Sequence, residues 1–127
     1  MVPRILLIED DQYTRDFYHD LLSGEGYKVE TAVDGKQGLD LILKGGWDLI
    51  LLDIVMPKMD GLAVLEELEN KKPQIPNGPI VILTVLGREE TIKKGLKSGA
   101  SGYFIKTAYN PEEILRGIKH YLKKPRE

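Results

Sequence analysis

Four short apolar runs, spaced along a chain of 127 residues, constrain this sequence more than any other feature. They are Ile5-Leu6-Leu7-Ile8, Leu49-Ile50-Leu51-Leu52, Ile80-Val81-Ile82-Leu83 and Tyr103-Phe104-Ile105. Each is too short for a buried helix, and within each no polar residue alternates with the branched and aromatic ones. A strand that is apolar on both sides must be covered on both faces, the condition met by strands of a parallel sheet. A fifth, half-polar stretch, Tyr27-Lys28-Val29-Glu30-Thr31, reads as an edge strand.

Between these runs, apolar residues return at the helical period. Tyr13, Phe17 and Leu21 recur at every fourth position, with Tyr18 and Leu22 beside them. Leu39, Ile42 and Leu43 mark a second helix, and Leu62, Leu65 and Leu68 a third. Ile92 and Leu96 mark a fourth over residues 88–98, mostly polar and interrupted by Gly95. Ile114, Leu115, Ile118 and Leu122 mark the last, which opens on Asn110 as N-cap, Pro111 in the first turn and Glu113 at the capping-box position. Turn signals stand between elements at Gly24-Glu25-Gly26, Gly45-Gly46 and Asn77-Gly78-Pro79, and the three prolines of residues 71–79 exclude a continuous helix there. The pattern is strand then helix, five times over. Right-handed crossovers turn that pattern into a doubly wound parallel α/β sheet with helices on both faces.

The length fits one domain with a core of its own. Cysteine is absent, which excludes a disulfide framework and thiolate chemistry and fits a reducing compartment. No apolar run approaches the ~20 residues of a membrane-spanning helix. Residues 1–10 turn acidic after a short apolar stretch, unlike a secretory signal, and a cytoplasmic protein is expected. The formal charge of −2 argues against direct nucleic-acid binding. It is uneven: residues 1–87 carry 8 basic and 15 acidic groups, and residues 88–127 carry 10 basic and 5 acidic. Solvated helix faces account for this, and a basic partner-facing surface toward the C-terminus is the alternative.

Ligands of such sheets bind outside the carboxyl ends of the strands. Glu9, Asp10 and Asp11 follow the first run, Asp53 the second, Thr84 the third and Lys106 the fourth. Parallel strands bring these ends to one edge. Crowded carboxylates raise each other's pKa, and a hard divalent cation relieves the repulsion. Lys106 is placed to pair with Asp53 at rest and with phosphate oxygens afterwards, and Thr84 to donate to the same oxygens. An aspartate in this setting can become an acyl phosphate. Each residue also has an ordinary alternative. Asp10 or Asp11 can be a helix N-cap, Asp53 can cap a turn before Pro57, and Thr84 and Lys106 can simply end their strands. His19 and His120 are lone helical histidines with no metal-ligand partner in view, Trp47 reads as packing, and Lys123-Lys124 as a solvated helix end.

Ile8-Glu9-Asp10-Asp11, Asp53-Ile54-Val55-Met56-Pro57-Lys58-Met59-Asp60-Gly61, Thr84 and Gly99-Ala100-Ser101-Gly102-Tyr103-Phe104-Ile105-Lys106 together resemble the receiver (CheY-like) domains of two-component response regulators along nearly the whole chain. The resemblance implies a flavodoxin-like (βα)5 sheet in the order 2-1-3-4-5, with the domain over residues 1–124 and residues 125–127 as a tail or the start of a linker. It implies that Asp53 is the phosphoacceptor. Mg2+ would be held by Asp10, Asp53 and the backbone carbonyl of Val55, with Glu9 acting through a water. Thr84 and Lys106 would bind the phosphoryl oxygens, and Thr84 and Tyr103 would form the switch. The donor would be a sensor histidine kinase or a phosphotransfer protein. Phosphorylation would reshape the face made by the fourth helix, fifth strand and fifth helix to control a downstream protein or output domain, or to form a homodimer. Such a domain promotes its own phosphorylation and dephosphorylation and is not a turnover enzyme. Asp11 falls one place beyond the acidic pair and is given no role.

Three other readings are set beside this one. An FMN carrier of the same fold needs a phosphate-cradling loop after the first strand, and Glu9-Asp10-Asp11 would repel the phosphate. An Mg2+ phosphatase with an aspartyl nucleophile places a second acid two residues on, where this chain has Val55. A phosphorylation-independent interaction module remains the alternative, kept open by two departures from the receiver pattern. Thr107 stands where the family has a proline after the lysine, commonly across a cis bond that a non-proline residue disfavours by ~3 kcal/mol. Val85 stands where it prefers a small residue after the threonine. The bulk of Val85 is expected to slow both phosphorylation and hydrolysis. Val85→Ala should therefore speed both in phosphoryl-label time courses, and superimposable curves would remove the idea.

Overall fold

Strand and helix alternate along the described residues, 1–85, 88–106 and 110–123, of the computed structural model. In order they are β1 (Arg4–Ile8), α1 (Gln12–Gly24), β2 (Lys28–Ala32), α2 (Gly35–Lys44), β3 (Leu49–Asp53), α3 (Gly61–Asn70), β4 (Ile80–Thr84), α4 (Glu89–Lys97), β5 (Gly102–Ile105) and α5 (Pro111–Leu122). The strands form one sheet in the order β2-β1-β3-β4-β5, every neighbouring pair parallel. This is the doubly wound, flavodoxin-like order that the resemblance implies. Thr107 lies outside the described residues, as do Lys124 and the expected tail at 125–127 with the domain boundary before it.

Alternate residues of each strand feed two cores. Ile5, Leu7, Leu49, Leu51, Val81, Leu83 and Phe104 pack with Tyr18 and Leu22 of α1 and with Ile114 and Ile118 of α5. Leu6, Ile8, Ile50, Leu52 and Ile82 pack with Leu39 and Ile42 of α2 and Val64 and Leu65 of α3. The first two apolar runs, residues 5–8 and 49–52, are wholly inaccessible to solvent, as burial on both faces requires. α4 approaches the second core through Gly95, which has no side chain to hold it off: a Cβ there would collide with Ile82.

Four details differ from the periodicity reading. On α1 the stripe facing the sheet is Tyr18 and Leu22, while Tyr13 is 88% exposed and Phe17 is 46% exposed. Two apolar stripes lie side by side on this helix, and its rotation is set from the turn before it. There the Asp11 carboxylate caps Thr14, and Arg15 donates to the carbonyls of Glu9 and Asp10. On α4, Ile92 and Gly95 face inward and Leu96 is exposed, because the close approach at Gly95 rolls the helix onto that edge. On α3, Val64 joins Leu65 as a fully buried residue, while Leu62 and Leu68 are half-buried. β2 starts one residue later than expected, with Tyr27 in the turn, its amide donating to the Leu22 carbonyl at 3.3 Å.

The proline-rich segment 71–79 is tied to the body by polar contacts. Asn77 accepts from the Trp47 amide at 3.0 Å and donates to the Ile42 carbonyl at 3.0 Å. Gln74 donates its amide to the Leu43 carbonyl, and Gly78 to that of Trp47. Trp47 is buried as expected. Its indole donates to the Leu41 carbonyl, and the Arg4 guanidinium lies 4.3 Å from the ring centroid. No helix among the described residues is long and apolar enough to cross a membrane.

Asn77→Ala removes a donor and an acceptor from two partly buried backbone groups, and should cost about 2 kcal/mol in urea unfolding. Asn110→Ala at the exposed start of α5 should cost only about 1 kcal/mol. Equal midpoints for the two variants would show that the 71–79 segment is not held in this way.

Candidate functional site

Register carries the acidic groups together. β1 and β3 pair Ile8 with Leu52, so the next residues along, Glu9 and Asp53, come side by side at the carboxyl edge. β3 pairs Asp53 with Leu83, one residue short of Thr84. The Lys106 amide donates to the Thr84 carbonyl at 2.8 Å, which brings the end of β5 alongside.

Glu9 is fully buried. Its Oε2 accepts from the Asp11 amide at 3.1 Å, and its Oε1 lies 2.6 Å from Lys106 Nζ. Asp53 is 4% exposed; its Oδ1 lies 3.1 Å from the same ammonium and accepts from the Val55 amide at 3.3 Å. Asp10 is exposed. Glu9, Asp10 and Asp53 each present a carboxylate oxygen, all within 4.8 Å of one another. Thr84 is buried, and its hydroxyl donates to the Val85 carbonyl at 3.4 Å. Glu9, Asp10, Asp53, Val55, Thr84 and Lys106 thus line one cavity of about 250 Å³, with Asp11, Val85 and Arg88. Tyr103 is not among the lining residues and stands half-exposed on β5.

The electrostatics follow from two buried acids sharing one base. Burial, then hydrogen bonding and charge repulsion from Glu9, push the Asp53 carboxyl up to about 8, against the pull of Lys106. Burial lowers the Lys106 ammonium, but Glu9 and Asp53 outweigh it and its pKa is raised. The field of Glu9 reaches under α1, where burial and then that charge hold the Tyr18 phenol at about 12. Asp11 behaves differently. Its bonds to the Thr14 amide and hydroxyl keep it below the usual carboxylate range, so of the alternatives for the acidic run, Asp11 is the helix cap.

The donor set suits a small hard cation: three carboxylate oxygens in mutual reach, one exposed and two buried, with repulsion for such an ion to relieve. Lys106 and Thr84 add an ammonium and a hydroxyl beside the Asp53 carboxylate, groups of the kind that phosphoryl chemistry uses. Three features escaped the sequence reading. Lys106 pairs with Glu9 as well as Asp53; Arg15 holds the β1–α1 turn; and Arg88 lines the cavity. For Arg88 the available signal was its place four residues beyond Thr84, at the start of a helix.

A family model described as the response regulator receiver domain matches residues 5–125. The chemotaxis protein CheY of Treponema pallidum (strain Nichols) is 39% identical over 124 residues, covering 94% of this chain and 83% of that protein. The transcriptional regulatory protein HprR of Escherichia coli (strain K12) is 37% identical over 120 residues, covering 94% of this chain and 52% of that protein. The chain therefore spans most of the first relative and about half of the second. Among solved structures, a CheY-like response regulator receiver domain protein from Methanospirillum hungatei JF-1 superposes with a TM-score of 0.83 at 31% identity, covering 96% of this chain and 94% of that one.

A carboxyl whose native pKa lies above its unfolded value binds more protons folded than unfolded, so its ionisation withdraws stability as pH rises from about 4 to 8. In chelator-treated protein, Asp53→Asn should therefore raise the unfolding free energy at pH 7.5 by on the order of 2 kcal/mol and change it little at pH 4.5. The gain should shrink when Mg2+ is added. Identical urea curves for the two proteins at both pH values would contradict the strain assigned to Asp53.

Proposed function

The chain belongs to the response regulator receiver domain family, a signalling family of two-component systems, and from that premise we propose that Asp53 accepts a phosphoryl group from a sensor histidine kinase or phosphotransfer protein. The observation that carries this reading is the Asp53 carboxylate, nearly buried in the cavity wall, with Lys106 at 3.1 Å and two further carboxylates in reach.

In this reading an Asp53 oxygen attacks the phosphorus of the donor phosphohistidine, the phosphorus–nitrogen bond breaks, and the imidazole keeps the electron pair and takes a proton. Asp10, Asp53 and the Val55 carbonyl, with Glu9 through a water, would hold Mg2+, which supplies neutralisation of the charge gathered at the phosphoryl oxygens. Lys106 sits between Glu9 and Asp53 at rest and turns part of its hydrogen bonding to the phosphoryl oxygens once they arrive. Thr84 exchanges its long bond to the Val85 carbonyl for one to the same oxygens. Its movement frees space toward Tyr103, which turns inward from its half-exposed position, and the face of α4, β5 and α5 changes shape.

The output passes to a downstream protein, an attached output domain or a second copy through that face, with no direct contact to nucleic acid by this domain, and the protein works in the cytoplasm. The domain cycles its own phosphorylation and hydrolysis rather than turning over a separate substrate.

Intact mass after incubation with acetyl phosphate tests this. Wild-type protein should gain one phosphoryl group with Mg2+ and none without it, and Asp53→Asn should gain none. A folded protein that takes up no phosphoryl group and binds no beryllofluoride would point instead to a phosphorylation-independent interaction module.

A further inference from the structure

Three cations stand around the Asp53 cavity, and two are committed. Lys106 is shared between Glu9 and Asp53, and Arg15 donates to the carbonyls of Glu9 and Asp10. The third, Arg88, lines the cavity with Asp53, Thr84 and Lys106. Its guanidinium has no ion-pair partner among the described residues, and its side chain plays no part in capping α4. It is an exposed, planar, five-donor cation at the wall of an acidic cavity.

Charge balance indicates what it is for. With Asp53 ionised, as a bound divalent cation would favour, Glu9, Asp10, Asp53 and Lys106 together leave the site two charges negative, and that cation would cancel them. Asp11 lines the cavity too, and the nearby Arg15, left out of the count with it, carries the opposite charge. An acyl phosphate on Asp53 replaces one negative charge by about two and presents three acceptor oxygens. The Lys106 ammonium is already divided between two acids. One negative charge is left over, and Arg88 carries the matching positive one.

We propose that Arg88 is a phosphoryl ligand of the phosphorylated site, binding through its guanidinium the oxygens that Lys106 and Thr84 do not occupy. This rests on the phosphoacceptor reading of Asp53 and adds a residue to it. The contact also has a mechanical consequence. Arg88 immediately precedes α4, whose buried residues are Ile92 and Gly95 alone, with Leu96 turned to solvent. A bond from Arg88 to the phosphoryl group anchors the start of that helix in the phosphorylated state only. It therefore favours one position of α4 directly, in parallel with the Thr84–Tyr103 route.

The test titrates beryllofluoride in the presence of Mg2+, and Mg2+ alone, into wild type, Arg88→Gln, Arg88→Lys and Asp53→Asn, with hydrogen exchange followed across residues 89–97. Arg88→Gln should weaken beryllofluoride binding roughly tenfold, a typical loss for one charge-assisted contact, and Arg88→Lys should restore part of it. Binding of Mg2+ alone should stay unchanged or tighten, because Arg88 repels the metal. Added beryllofluoride should protect the first turn of α4 in wild type and not in Arg88→Gln. Equal beryllofluoride affinity in wild type and Arg88→Gln would overturn the proposal, as would a parallel loss of both ligands. Wild type that binds no beryllofluoride, or Asp53→Asn that binds it equally well, would overturn the phosphoacceptor reading and this proposal with it.

Discussion

At the carboxyl edge of the sheet one ammonium serves two buried carboxylates, and much of the surrounding structure exists to keep that arrangement in place. Lys106 reaches Glu9 at 2.6 Å and Asp53 at 3.1 Å. Removing ions from water costs several kcal/mol each, and such a group survives only where partners are held in fixed geometry. Here the three residues come from the ends of three different strands. A one-residue slip of β1, β3 or β5 would carry its member to the wrong face of the sheet. The inaccessible runs of β1 and β3 prevent that slip, because any other register would bury the wrong side chains. The hydrophobic core is what makes the strained polar cluster possible.

The strain is unequally divided. Glu9 and Asp53 each accept one backbone amide, but Glu9 has the shorter contact with Lys106 and the shorter amide bond, 3.1 Å against 3.3 Å, and it is the Asp53 carboxyl that is pushed upward. The carboxyl that is pushed upward is also the one expected to react. A carboxylate held in that condition gains from anything that brings positive charge or removes repulsion, so the arrival of a cation and then of a phosphoryl group with its own ligands relieves a cost already present in the resting fold. Val85, 42% exposed, lines the same cavity.

The two-sided apolar runs made the sheet legible in the sequence, and the strand-end rule made the site legible with it. Glu9, Asp10, Asp53, Thr84 and Lys106 are single polar residues placed where apolar runs stop, and parallel topology leaves them nowhere else to go. The start of α5 was equally plain, since Asn110 and Pro111 act within one turn, and Asn110 accepts from the Glu113 amide. What stayed hidden depends on rotation or on distance along the chain. Two apolar stripes on α1 were compatible with the same spacing, and a guanidinium contact at Arg15 decided between them. The outward turn of Leu96 follows from how closely a glycine lets α4 approach Ile82. Asn77 looked like a turn residue and is a clip across 30 residues to Trp47 and 35 to Ile42. The sharing of Lys106 with Glu9 joins positions 97 residues apart, and side-chain reach is not written in spacing.

The helices differ in how firmly they are held, and the difference falls where signalling needs it. α5 begins on the Asn110 side-chain cap, buries Ile114 and Ile118, and sets Tyr121 edge-on to Phe104 at 5.7 Å. α4 begins on a residue without a side-chain cap and has Ile92 and Gly95 as its buried residues. A contact worth about 1.5–3 kcal/mol would hardly disturb the first. For the second it is comparable to everything that fixes the start of the helix, and a free-energy bias of that size shifts a two-state population by roughly ten- to a hundredfold. If Asp53 is phosphorylated as proposed, the phosphoryl group does not need to deform the domain. The cores on both faces resist change, and in the proposed reading a small electrostatic gain acts on α4, the more weakly anchored of these two helices.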